Sequence, residues 1–144
     1  MEIITTGKVV VPARIENLRD VYFAERQLIA PSEIRGIEVE DAVVDTGATL
    51  LSLPRRLVAQ LGLERRRTRT ARTAAGVFEF GIYDPVRLTV QDRDCLVEVS
   101  EIPDDCPVLI GQVPLEILDF VVDPIGQRLL GNPDHGGEQM IDLF

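Results

Sequence analysis

Tryptophan is absent from this chain, histidine occurs once, cysteine twice, and aromatic residues make up 5% of it. Each scarcity excludes something. His135 is the sole histidine and lies in a polar, glycine-rich stretch, so neither a Ser-His-Asp nor a Cys-His mechanism has a natural base. Cys95 and Cys106 lack the spacing of a metal-ligand set, so no metal and no cofactor is expected. Two such thiols are expected to stay reduced and partly buried. No apolar run approaches the ~20 residues of a membrane span, and no glycine-rich phosphate loop is present. Met1–Gly7 has no basic stretch leading into an apolar core, which predicts no secretory leader and a cytoplasmic location.

Positive charge is also in short supply. Lysine and arginine total 15 against 24 acids, a net charge of −9 that argues against nucleic-acid binding. Arg65, Arg66, Arg67, Arg69 and Arg72 are the local exception. No aromatic residue interleaves with them, and their alternation reads as a strand with a solvated face. An acidic partner or substrate segment is what such an edge would attract.

What the sequence does contain is enough apolar material, 45% of 144 residues, for one domain with a real core. A chain of this size buries about 68–70% of its unfolded surface. Lys8–Ile15 reads as a strand, with Pro12 pointing to an edge position. A turn is expected at Asn17–Asp20, a strand over Val21–Ile29, and a break at Pro31. Alternation of Ile34, Ile37 and Val39 with Glu38 and Glu40 predicts a half-buried strand running into Val43-Val44. Leu57, Val58 and Leu61 share a helical face after Pro54, with Ser52 or Leu53 as candidate cap and Gly62 as the stop. Thr68–Thr73 and Val77–Tyr83 alternate on either side of Ala74-Ala75-Gly76, the pattern of a hairpin. Pro85–Val90 and Cys95–Val99 predict another, and Leu118–Pro124 with Gln127–Leu130 the last strands. Residues 133–144 read as a flexible or partner-docking tail, with Met140, Ile141, Leu143 and Phe144 as its apolar contacts.

The most informative stretch is Asp41-Ala42-Val43-Val44-Asp45-Thr46-Gly47-Ala48. An apolar strand ends on an acid, a hydroxyl and a glycine. A carboxylate at such a strand end is either satisfied by backbone N–H groups or placed for chemistry. Val44-Asp45-Thr46-Gly47-Ala48 resembles the active-site signature of single-domain, retropepsin-like aspartic proteases. Pro107-Val108-Leu109-Ile110-Gly111 resembles the apolar-apolar-glycine stretch that supports the catalytic loop there, and Pro114–Leu118 the short helix that follows. A faint internal echo links Val43–Gly47 to Leu109–Gly111, each an apolar strand end, a glycine turn and a short helix.

The resemblance covers Lys8 to Asn132 and implies a mainly-β fold: a small closed, orthogonal β-barrel with one or two short helices, filling residues 1–132. It implies an aspartic endopeptidase. Peptide hydrolysis of that kind needs two carboxylates, and this chain has one Asp-Thr-Gly, so a homodimer with one Asp45 from each subunit is expected. Thr46 would tie the two loops together and Gly47 would meet the substrate backbone, with Ala48 completing the loop. Ala75, Gly76 and Val77 would form the tip of a flap, Pro107 and Val108 would line the cleft, and Ile110 and Gly111 would support the loop. Retroviral members usually carry an acid at the position of Thr49 and an arginine at that of Gln112. The neutral pair here leaves open an alternative: a binding or dimerisation module of the same fold with little or no proteolytic activity.

Overall fold

The computed structural model describes residues 8–143. Met1–Gly7, read above for a leader, and Phe144, read as a tail contact, lie outside them. The strands are β1 (Val9–Asn17), β2 (Gly36–Val44), β3 (Leu51–Pro54), β4 (Arg65–Thr73), β5 (Gly76–Val90), β6 (Arg93–Ile102), β7 (Leu109–Ile110), β8 (Phe120–Asp123) and β9 (Arg128–Gly131). The α-helices are α1 (Leu18–Glu25), α2 (Arg55–Gln60) and α3 (Gln112–Leu118). Six strands follow one another as β1-β2-β7-β3-β6-β5, and β5 pairs back onto β1 to close a ring. β4 extends the sheet beyond β5, and β8 with β9 forms a separate hairpin. The architecture is mainly β and consistent with a retropepsin-type fold, with three α-helices rather than the one or two expected.

Alternation puts the apolar residues inside. Val9, Val11, Ala13 and Ile15 of β1 all point inward and are essentially buried. β3 is only four residues long but lies between β7 and β6, and all four are buried. Leu51, Leu53, Val86, Leu88, Val99 and Ile110 form the fully enclosed centre. Ser52 and Ser100 are the polar pair within it, and their hydroxyls satisfy each other at 2.8 Å.

The structure refines the sequence reading at Pro12 and corrects it at the first two helices. Pro12 lies in the part of β1 that pairs with β2 alone, because the β5 ladder starts only at Arg14. The proline also sits at a register shift between Val11 and Ala13, where the ladder does not need its missing N–H. The turn expected at Asn17–Asp20 and the strand expected from Val21 are largely one helix, α1. Asn17 Oδ1 caps that helix by accepting from Asp20 N–H at 3.1 Å. Leu18 and Val21, three apart, turn inward. The strand-favouring Tyr22 and Phe23 lie on its exposed side and so do not decide its conformation. Asp20 then fixes the helix to the start of β2. It accepts from Arg35 N at 3.0 Å, Nε at 2.8 Å and Nη2 at 3.0 Å. α2 starts after Pro54, which takes the cap position in place of Ser52 or Leu53, and Gly62 ends it at φ +68°.

Candidate active site

β2 delivers Asp45 to the end of the ring. β2 and β7 run parallel, with Val43 beside Leu109 and Val44 beside Ile110. Val43 N–H donates to Val108 O at 2.8 Å and Asp45 N–H to Ile110 O at 2.9 Å. The backbone of the acid is therefore fixed by the strand next to it. Beyond it the chain turns sharply, with Ala48 N–H donating to Asp45 O at 3.0 Å. Gly47 N–H donates to Asp45 Oδ1 at 2.9 Å, which holds one carboxylate oxygen. Asp45 is half-buried, Thr46 and Gly47 are exposed and Ala48 is half-buried. Among the described residues, no cation pairs with Asp45.

Gly111 braces this loop from behind. Its N–H donates to Leu50 O at 2.9 Å, Gln112 N–H to Ala48 O at 2.8 Å and Val113 N–H to Thr49 O at 2.9 Å. A Cβ on Gly111 would stand 2.4 Å from Leu50 O, 2.7 Å from Thr49 C and 2.8 Å from Ala48 C. Glycine is required here for close approach and not for its φ, which is −86°. The two echoing segments thus lie side by side, and one supports the other. The Gln112 side chain does not reach for Thr49: its Nε2 donates to Glu116 Oε1 at 2.9 Å, within α3. Ile110 is wholly buried under the loop.

β4 and β5 form a long antiparallel hairpin. Its tip turns on Ala74 and Ala75, and Gly76 adopts φ +128°, a conformation that side chains disfavour. Thr73 Oγ1 locks the tip by accepting from Ala75 N–H at 3.2 Å and donating to Gly76 O at 3.1 Å. Ala75, Gly76 and Val77 are all exposed. Between this hairpin and the loop after Asp45 lies a cleft of about 400 Å³. Thr49, Leu50 and Ser52 line one side, Arg67, Arg69, Phe80 and Ile82 the other.

Residues 30–117, more than half of the chain, match the family described as "gag-polyprotein putative aspartyl protease". The chain belongs to that family. The match contains Asp45, the cleft, the hairpin and Gly111. No curated protein matches the chain.

Within this aspartyl protease fold, the residues singled out from sequence fall into three places. Asp45, Thr46, Gly47, Ala48, Ile110 and Gly111 come together at one loop and its brace. Ala75, Gly76 and Val77 stand together at the hairpin tip. Pro107 is exposed on the approach to β7, but Val108 is 5% exposed and packs in the core, so within the subunit it does not line the cleft. Val108 continues the extended chain just before β7, and alternation turns it inward with Ile110. The sequence reading missed Leu50, Phe80, Ile82 and Glu98 as cleft residues. The period-two pattern that puts Phe80 and Ile82 on one side of β5 was the available signal.

His135 lies elsewhere. Its Nδ1 is 2.6 Å from Asp119 Oδ2 and its Nε2 3.0 Å from Asp142 Oδ2. Both ring nitrogens are therefore engaged with carboxylates and neither with a hydroxyl or thiol. Cys95 and Cys106 are free thiols, and burial pushes that of Cys95 up to about 11. Among the described residues no group of three metal-ligating side chains occurs, and no helix is long and apolar enough to cross a membrane.

Proposed function

We propose that this family member is an aspartic endopeptidase that works as a homodimer, with Asp45 of each subunit forming the water-activating pair. The observation that carries this reading is the loop itself. One Asp45 oxygen is held by Gly47 N–H, and the turn around it is braced by three backbone hydrogen bonds to the Gly111 segment. A fixed carboxylate at an exposed loop is what each half of such a pair must supply. Two carboxylates in close contact cannot both ionise, so one keeps a proton; aspartic proteases are the standard case of this behaviour. The ionised member takes a proton from water while the protonated one donates to the peptide carbonyl oxygen. Attack by the water oxygen gives a tetrahedral carbon, and its collapse breaks the C–N bond as the amine receives a proton. The pair titrates as a unit, so activity is expected to be bell-shaped on the acidic-to-neutral side.

In this reading Thr46 ties the two loops across the axis and Gly47 meets the substrate backbone. The β4–β5 hairpin closes over the peptide as a flap, and Pro107 borders the cleft. Residues 1–132 form the protease domain, and the two free thiols suit a cytoplasmic location. Asp45→Asn keeps the shape and removes the ionisable group. It is expected to abolish cleavage of a mixed peptide library while leaving the melting temperature unchanged; retained cleavage by that variant rules the mechanism out.

One observation favours a second reading. The Gln112 side chain donates to Glu116 within α3, and among the described residues no side-chain hydrogen bond joins it to Thr49. A loop held by backbone bonds alone, without a side-chain link at these two positions, would suit a peptide-binding or dimerisation module without hydrolysis. A wild-type protein that binds peptides but leaves them intact would select that reading.

A further inference from the structure

The cleft offers a ligand one charge that nothing else uses. Cross-strand partners point to the same side of a hairpin, and the ladder pairs Arg67 with Ile82, Arg69 with Phe80 and Ala71 with Phe78. That side faces the cleft, since Arg67, Arg69, Phe80 and Ile82 all line it. Three charged residues face this space: Arg67, Arg69 and Glu98. Arg67 donates to Glu98 Oε1, so those two neutralise each other. Arg69 makes no side-chain hydrogen bond or ion pair among the described residues. The hydroxyls of Ser52 and Ser100 are occupied with each other. Leu50, Phe80 and Ile82 supply apolar wall, and the Arg69 guanidinium remains open to a ligand.

We infer that Arg69 is a specificity-determining residue that selects a glutamate or aspartate side chain in a peptide bound beneath the hairpin. This rests on the cleft being the peptide site proposed above. A guanidinium can grip a carboxylate with two parallel N–H donors, a geometry an amide or hydroxyl cannot match. A glutamate would lay its methylenes on Phe80 and Leu50 and present its carboxylate to Arg69. Lysine at the same place would meet an uncompensated like charge. The net charge of −9 opposes acidic ligands at a distance. At physiological salt that field is screened over about 8 Å, so the nearby arginine decides the preference.

The test digests a proteome-derived peptide library with wild type, Arg69→Gln and Arg69→Glu and maps the cut sites by mass spectrometry. The same library is also captured on immobilised Asp45→Asn and Asp45→Asn/Arg69→Glu. Wild type is expected to cut where an acid occupies one fixed position beside the scissile bond. Arg69→Gln should lower kcat/KM for such peptides roughly tenfold, and Arg69→Glu should shift the preference to lysine or arginine. Cut sites without acidic preference, or a preference unchanged in Arg69→Glu, overturn the inference. If wild type cuts nothing, capture decides: acidic peptides on Asp45→Asn giving way to basic ones on the double variant uphold Arg69 while the peptidase reading falls. No enrichment, or enrichment without that switch, overturns Arg69 as well. Unchanged melting temperatures confirm that the exposed substitutions leave the fold intact.

Discussion

Single atoms set what the loop can do. Asp45 Oδ1 is held by one N–H, and the place of that N–H depends on Gly111 allowing the loop backbone to touch it. Gly111→Ala puts a carbon 2.4 Å from a carbonyl oxygen that belongs to rigid backbone. It is expected to cost about 2–3 kcal/mol of stability, typical of overpacking, and to depress cleavage more than stability alone explains. Denaturant titration beside a rate measurement separates the two effects. Gly47→Ala is the milder change, since its Cβ would meet only the Asp45 carboxylate at 3.2 Å. This part of the site was legible in the sequence because its chemistry is contiguous: Asp45, Thr46 and Gly47 are neighbours, and so are Ile110 and Gly111. Val108 was not legible. Its position beside the motif suggested a cleft, whereas it shares the inward parity of Ile110, two residues on, and lies in the core.

At the scale of elements, the strands were read well and α1 was not. Strand alternation is a strong local signal, as β1 and β2 show. Helix α1 depends instead on a cap, Asn17, whose own amide donates to Leu61 O at 2.8 Å, and on Arg35 reaching back to Asp20. Both contacts join residues far apart in sequence, so no window of the chain announces them. Asp20→Ala should therefore loosen α1 and the start of β2 together. Three Arg35 N–H donors lose their acceptor, but the Arg35 side chain stays half-exposed and water can resolvate it, so the cost is expected to be about 2 kcal/mol by chemical denaturation. Its pH dependence has a definite sign. The hydrogen bonds from Arg35 lower the Asp20 pKa below 3.8. The stabilisation is present above that ordinary value and is lost as pH falls through the lowered one. The gap between wild type and Asp20→Asn should thus close in strong acid and stay constant towards neutrality.

Across the whole molecule, the segment after β9 lies back against the body through Asp119. Asp119 Oδ2 accepts from Met140 N–H at 3.0 Å and meets His135 Nδ1 at 2.6 Å, while Oδ1 accepts from Asn132 Nδ2 at 3.2 Å. Arg93 donates to the carbonyls of Leu118 and Asp119 at 2.9 and 2.8 Å and also to Gly137 O. His135 holds Asp119 below its ordinary value, and Asp119 followed by Asp142 raises His135 above 6.5. The histidine's contribution is complete below 6.5 and is lost as pH rises through its raised value. The aspartate's is present above 3.8 and is lost as pH falls through its lowered value. The clasp is therefore firmest between those two limits. His135→Ala should increase hydrogen exchange over residues 132–142 at pH 6, and the difference from wild type should fade in alkali. An equal difference at all pH values would contradict an ionic clasp. We propose residues 133–144 as a segment apart from the protease domain, held to it by this contact.

The central claim is that cleavage takes Asp45 from two subunits. Wild type and Asp45→Asn are mixed in varied proportion at constant total protein, allowed to exchange subunits, and assayed for rate on one peptide. If both carboxylates are needed, the rate follows the square of the wild-type fraction, so an equal mixture retains about a quarter of full activity. A rate falling in direct proportion, with about half remaining, would show that each subunit acts alone and would contradict the account.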